Sequence, residues 1–159
     1  MAQLRLQALD REDLAVLSAQ CQDGVVRVGD LVFQARAKRF ALVCNRFDWE
    51  SADARNAKGP FERRRAGLRF ERVTRARFTG FDRAAADGVM VLLAMVFEGG
   101  EEPAGVIALR FAAGAEVHLD VECIEVELKD LGAVWTTGSK PDHTTVDAAK
   151  GKPATKSGS

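Results

Sequence analysis

Apolar and polar residues alternate along most of this chain with the period of two that is typical of half-buried strands. The clearest alternation lies at 116–123, where valine, leucine and cysteine alternate with glutamate, histidine and aspartate. Short polar turns join most of these segments, so we expect antiparallel neighbours, because parallel neighbours need a long crossover. Similar alternation, or a nearly continuous apolar run, predicts further strands at 4–8, 25–28, 31–33, 39–50, 68–78, 89–97 and 105–111.

One segment near the N-terminus has helical periodicity instead. Leu14, Leu17 and Cys21 recur at the spacing of a single helix face. Asp10 precedes them as a candidate N-cap, and Asp23-Gly24 follows as a stop signal. We therefore predict a helix over about residues 10–22.

The segment 124–131 fits two structures. Its apolar residues at i, i+4 and i+7, followed by Gly132, favour a short helix, whereas Val126 and Leu128 also alternate with glutamates as in a strand. We expect the short helix.

Together these elements predict an α+β domain that is rich in strands. A mostly antiparallel sheet, which could curl into an open barrel, would pack on the N-terminal helix. We expect one globular domain over residues 1–135, with a mobile basic loop at about 51–67 that contains proline, glycine and clustered charge. Residues 136–159 are rich in serine, threonine, lysine and glycine, and we expect a disordered tail there.

Composition predicts a cytoplasmic protein that does not associate with membranes. Apolar residues make up 47% of the chain and charged residues 29%, which is typical of soluble globular proteins. The sequence contains no apolar run long enough to span a bilayer, and its first residues lack the apolar core of a signal peptide. Cys21, Cys44 and Cys123 are isolated within apolar patterns, so we expect buried, reduced thiols.

Charge is unevenly distributed although its sum is zero. Between 55 and 77 there are nine basic and two acidic residues, and between 78 and 132 three basic and eleven acidic ones. Arginines and phenylalanines interleaved between Arg63 and Arg77 are typical of nucleic-acid binding. The neutral total and the pI near 6.7 argue against that function. We favour pairing of the basic and acidic strands across one sheet.

No motif in the sequence fixes a reaction. Phosphate-binding loops, nucleophile elbows and dinucleotide-binding glycine patterns are absent. The two histidines, His118 and His143, have no neighbours at ligand spacing, so we expect neither a metal nor another cofactor. An enzyme that brings Arg46, Asp48 and Glu122 into one pocket is an alternative, but we favour a role without catalysis.

The end of the strand at 39–50 is the candidate binding site. Its apolar beginning predicts a buried strand, and its amphipathic end leads into the basic loop. We predict a non-enzymatic binding or adaptor domain with a protein partner. Nucleic-acid binding through Arg63–Arg77 is the alternative interaction. The candidate contact residues are Arg46, Asp48, Trp49, Arg63, Arg64 and Arg65.

Four segments together resemble the bacterial domain-of-unknown-function family 2948 (DUF2948). They are residues 10–19, 25–31, 39–50 and 121–132, and the most specific parts are Asn-Arg-Phe-Asp-Trp-Glu at 45–50 and Asp-Leu-Gly at 130–132. The resemblance covers nearly the whole chain before the predicted tail. It implies a single-domain bacterial cytosolic protein, and it assigns no activity and no catalytic residue.

Overall fold

The computed structural model describes residues 4–47 and 61–137, with side chains described over 4–47 and 63–132. Within these ranges the chain forms ten strands and one α-helix. No helix of this part of the chain is long and apolar enough to cross a membrane. The elements are β1 (Arg5–Ala8), α1 (Arg11–Cys21), β2 (Gly24–Arg27), β3 (Val32–Gln34), β4 (Arg39–Phe47), β5 (Phe61–Glu71), β6 (Val73–Thr79), β7 (Val89–Gly99), β8 (Gly105–Phe111), β9 (Glu116–Val121) and β10 (Val126–Thr137).

The strands form one antiparallel sheet in the order β1-β10-β5-β4-β2-β7-β8-β9-β6, and β3 pairs with β4 beside this path. Helix α1 packs mainly against β7 and β1. The predicted α+β class, with a mostly antiparallel sheet on one N-terminal helix, is therefore confirmed. The sheet is not closed, because its two terminal strands, β1 and β6, do not pair with each other.

The predicted helix cap is formed by two reciprocal hydrogen bonds. The Asp10 carboxylate accepts a bond of 2.8 Å from the Asp13 backbone N–H, and the Asp13 carboxylate accepts one of 3.2 Å from the Leu9 N–H. These bonds satisfy donors that the first helical turn would otherwise leave without partners. The helix face predicted from the sequence is the buried one, and it consists of Leu14, Leu17 and Cys21.

Arg72 bends the long basic strand and divides it into β5 and β6. Its φ of 62° lies in the left-handed region, and the residue is also the one that breaks the alternation in the sequence. The bend is held by hydrogen bonds from the Glu122 N–H to the Arg72 carbonyl and from the Val73 N–H to the Lys38 carbonyl, both 2.9 Å. Because of this bend, consecutive strands of the chain lie far apart in the sheet: β5 is third in the strand order and β6 is last.

Part of the predicted basic loop is strand. Residues 61–67 belong to β5 and pair with both β4 and β10, so the expectation of a loop over 51–67 is wrong for this half. The charge density of Arg63–Arg65 suggested a solvated loop, but the fold buries two of these three side chains. Residues 51–60 lie outside the described residues.

The segment predicted as a short C-terminal helix is also strand. In β10, Val126, Leu128 and Asp130 are buried, while Glu127 and Lys129 are not. Pairing with β1 on one side and β5 on the other supplies the backbone hydrogen bonds that a helix would have made internally. The strand reaches Thr137, two residues beyond the predicted end of the domain at 135, and residues 138–159 lie outside the described residues.

Phenylalanine rings lie at the centre of the core. Phe40 packs against Phe70 and Phe78 with ring centroids 6.0 and 6.2 Å apart, and it is fully buried. These rings come from β4, β5 and β6, so they join the two parts of the bent strand to its neighbour in the sheet.

We expect Phe40→Ala to lower the free energy of unfolding by about 3–5 kcal/mol, because it removes a fully buried ring and leaves a cavity. Urea denaturation followed by circular dichroism measures the change. Leu9→Ala is the matched control, since this side chain is 60% exposed and its truncation should change stability by less than about 0.5 kcal/mol. Equal effects of the two substitutions would contradict the assigned core.

Candidate functional site

The last residues of β4 carry a buried ion pair. Alternation along the strand turns Arg46 to the same side as the core residues Leu42 and Cys44. Its guanidinium donates from Nε to Asp130 Oδ1 at 3.0 Å and from Nη2 to Oδ2 at 2.9 Å. The two side chains are only 3% and 1% exposed. This two-bond geometry is the strongest form of arginine–carboxylate contact.

The geometry of β5 makes the pair possible. This strand lies between β4 and β10, and its Ala66 stands directly opposite both Cys44 and Asp130. The small side chain leaves room for Arg46 to reach across β5 to the carboxylate. A larger residue at position 66 would fill that space.

Asp130 also fixes the beginning of the chain. Its carboxylate accepts a hydrogen bond of 2.9 Å from the Leu4 N–H, and its own N–H donates to the Leu4 carbonyl at 2.9 Å. Arg46 Nη1 donates to the Gln20 side chain of α1 at 3.4 Å. The ion pair therefore joins β4, β10, the end of α1 and the segment before β1. We call these four residues, Leu4, Gln20, Arg46 and Asp130, the buried clamp.

The thiols of Cys21 and Cys44 lie beside the buried clamp. A hydrogen bond with the Cys44 side chain, followed by burial, raises the pKa of the Cys21 thiol well above its ordinary value. A thiol that stays protonated is a poor nucleophile. Both residues are free thiols in the core, as expected from the sequence. Cys123 is also a free thiol but is only partly buried, so the expectation of burial is wrong for this residue.

The three consecutive arginines of β5 have different surroundings. Arg63 is buried on the face of Phe47, lies 6.0 Å from the centre of that ring and donates to the Asn45 carbonyl at 3.2 Å. Burial lowers the pKa of the Arg63 guanidinium. Arg64 is buried on the opposite face, directly across from Arg46. Arg65 is exposed.

Arg65 belongs to a small surface patch on the outer face of the sheet. Asn45 lies directly opposite it on β4, and Val43 lies opposite Gly67, the next outward position of β5. The side chain of Leu131 covers Gly67, where a β-carbon would be 3.7 Å from Leu131 Cδ1. We call Val43, Asn45, Arg65 and Leu131 the outer patch. Leu131 is 48% exposed, and Arg65 has no hydrogen-bond or ion-pair partner in the described part of the chain.

Most of the remaining arginines on β5, on β6 and at the bend between them pair with carboxylates. Arg69 contacts Glu127 at 2.6 Å and Glu71 at 2.9 Å, and Arg72 contacts Glu125 at 3.4 Å. The acidic partners lie largely on the neighbouring strands, β9 and β10, or on the link between them, so the expected pairing of basic and acidic strands occurs. A nucleic acid would meet these carboxylates together with the arginines.

Arg46 and Glu122, two of the three residues proposed for an enzyme, do not share a pocket, and the third, Asp48, lies outside the described residues. Glu122 pairs with Lys38 at 2.7 Å, and this bond lowers the pKa of the carboxyl group. Lys38 precedes β4, whereas Arg46 lies at its far end, about 27 Å away at the rise of an extended strand. Neither of two described surface cavities, of 310 and 540 Å³, is lined by Arg46 or Glu122.

The described residues include no group of three or more histidines, cysteines or carboxylates that could hold a metal ion. His118, the histidine within this part of the chain, contacts the Glu116 carboxylate at 2.6 Å.

The six candidate contact residues separate into three groups. Arg46, Arg63 and Arg64 are buried, so the expectation that they form an exposed surface is wrong. Arg65 is exposed as expected. Asp48 and Trp49 lie outside the described residues.

Asp130 and Leu131 were missed by sequence reasoning, although both belong to the Asp-Leu-Gly segment. The available signal was the alternation of 126–130, which places Asp130 on the apolar face of a strand.

A family model described as "Protein of unknown function (DUF2948)" matches residues 4–143. This match confirms the resemblance seen in the sequence. No curated protein and no solved structure matches the chain.

We expect Asp130→Ala to lower the free energy of unfolding by about 3–5 kcal/mol, because it leaves the buried Arg46 charge without its carboxylate. Urea denaturation at neutral pH measures the loss. Lys38→Ala is the control: it removes a half-exposed ion pair and should cost less than about 1 kcal/mol. If Asp130→Ala costs no more than Lys38→Ala, the buried clamp does not stabilise the fold.

Proposed function

We propose that this chain, which belongs to the DUF2948 family of proteins of unknown function, is a non-enzymatic binding module that contacts a protein partner through the outer patch. The observation that carries the proposal is the pairing of a half-exposed Leu131 with an exposed Arg65 that has no described partner. Arginine is enriched among the residues that dominate binding energy, and exposed apolar side chains beside it supply the area that becomes desolvated.

The outer patch is held on rigid structure. Asn45 and Arg65 stand opposite each other on paired strands, and the buried clamp fixes both β4 and β10 on the inner side of the same sheet. Side chains held in place before binding lose less conformational entropy when a partner arrives. This favours recognition of a folded surface over chemistry on a small molecule.

The charge of the outer patch indicates the chemistry of the partner. Arg65 contributes a positive charge beside the apolar Val43 and Leu131, so the proposed partner presents a carboxylate next to apolar side chains. Asp48 and Trp49 follow β4 directly in the sequence and stay in the proposal as predicted extensions of this surface. A polyanion is a weaker candidate, because carboxylates neutralise much of the basic strand.

The proposed location is the cytoplasm. Cys21 lies beside Cys44, and both are free thiols, which suits a reducing compartment.

Arg65→Glu should reduce partner capture about tenfold or more, because it reverses the one unpaired charge of the outer patch. A photo-crosslinking amino acid at position 45 would mark proteins that touch the patch in cells. The captured species are compared by mass spectrometry between the wild-type chain and the variant.

Arg36→Glu is the matched control, because it makes the same charge change at an exposed turn outside the patch. Thermal melts should show that both variants remain folded. Equal capture of the same protein by the wild-type chain and Arg65→Glu, or capture of none by the wild-type chain, would refute the proposal.

A further inference from the structure

A groove of 540 Å³ lies on another part of the sheet, across β6, β9, β8 and β7. The residues that matter here are Arg75, Arg77, Asp120 and Glu98. Gly99 and Gly105 line it as well, and they face each other at the hairpin between β7 and β8. Arg11 and Phe97 fill the space where a β-carbon of Gly99 would lie, and Phe97 fills that space at Gly105, so both glycines line the groove through their backbones.

The strand register places positive and negative side chains at opposite ends of the groove. Arg75 stands opposite Asp120, Asp120 opposite Val106, and Val106 opposite Glu98. Directly opposite residues of an antiparallel pair place their side chains on the same face. The arginines therefore occupy the β6 end of the groove, and Glu98 occupies the β7 end.

Two guanidinium groups at the β6 end have unused donors. Arg77 donates to Asp120 through Nη2 and has no described partner for its Nη1, while its Nε is buried without an acceptor among the described residues. Arg75 is exposed, and no carboxylate of the described part lies within ion-pair distance of it. A ligand oxygen can therefore accept hydrogen bonds from Arg75 and from the partly exposed guanidinium of Arg77, and charged donors make such bonds strong.

The acidic residues of the groove limit the charge of that ligand. Arg77 neutralises Asp120, and Arg110 neutralises Glu98 at 2.8 Å, while Glu101 also lines the groove. These pairs leave Arg75 as the lining arginine without a described carboxylate partner, and Glu101 adds a negative charge, so a phosphate dianion or a nucleic-acid backbone would carry more negative charge than the groove can neutralise. One negative charge matches the donors that remain.

We propose that the groove binds a single carboxylate group between Arg75 and Arg77. The planar guanidinium matches a carboxylate in geometry as well as in charge. The carboxylate could belong to a small organic acid or to the C-terminus of a peptide, and the groove extends beyond it toward Gly99 and Glu98. This site is separate from the outer patch, so its failure would leave the proposed protein contact untouched.

Correlation NMR spectra of nitrogen and proton signals, recorded on the full chain labelled with nitrogen-15, test the site directly. N-acetylglycine, a peptide of four alanines with a free C-terminus and the same peptide amidated at its C-terminus are the probes, with inorganic phosphate as the comparison. We expect the Arg77 Nε–H signal and the Gly99 and Gly105 amide signals to shift with the free carboxylates and not with the amidated peptide.

Arg75→Ala should weaken carboxylate binding about tenfold, since it removes a charged donor from an exposed position without disturbing the fold. Arg77→Lys keeps the charge, removes the planar guanidinium donors and should weaken binding as well. Arg36→Gln is the control and should bind as the wild-type chain does.

Binding of both free carboxylates supports a site for small acids, and binding of the free peptide alone supports recognition of a C-terminus. Three results would overturn the proposal: no shift with either carboxylate, equal shifts with the amidated peptide, or binding of phosphate in place of carboxylate.

Discussion

The fold depends on one buried contact, the ion pair between Arg46 and Asp130. Two charges removed from water are costly unless their hydrogen bonds are nearly all satisfied. Here the carboxylate accepts two bonds from Arg46 and one from the Leu4 backbone, and Arg46 also reaches Gln20. The pair therefore ties segments that are far apart in the sequence to one point at the edge of the core.

This contact has consequences for both faces of the sheet. On the inner face it ends the apolar core beside Cys21 and Cys44, and it occupies the arginine that could otherwise have served chemistry or recognition. On the outer face it leaves Asn45 and Arg65 on paired strands whose positions are fixed from below. The outer patch therefore lies on the face of the sheet opposite the buried clamp.

Charge pairing across strands explains how a chain of zero net charge can contain such strong local charge. The basic residues of β5 and β6 meet acidic residues of β9, β10 and the link between them at close range. Exposed pairs of this kind contribute little stability one by one, but they fix register and disfavour wrong partners. Against this neutralised background, Arg65 and Arg75 are the exposed arginines of these two strands that lack a described partner, and each lies at a proposed binding site.

The sequence by itself determined most of the strands, the capped helix and the fold class, because these follow from local periodicity and capping. The strand predicted at 68–78 is divided by a bend at Arg72 that was not predicted, although Arg72 breaks the alternation. Only the tertiary structure decided the fate of the charged residues. Arg46 is buried because Asp130, 84 residues away in the chain, lies two strands from it in the sheet. Residues 61–67 and β10 are strands because neighbours on both sides pair with them. Local pattern cannot reveal a partner that only the folded sheet brings near, so burial of charge and the true position of the outer patch required the fold.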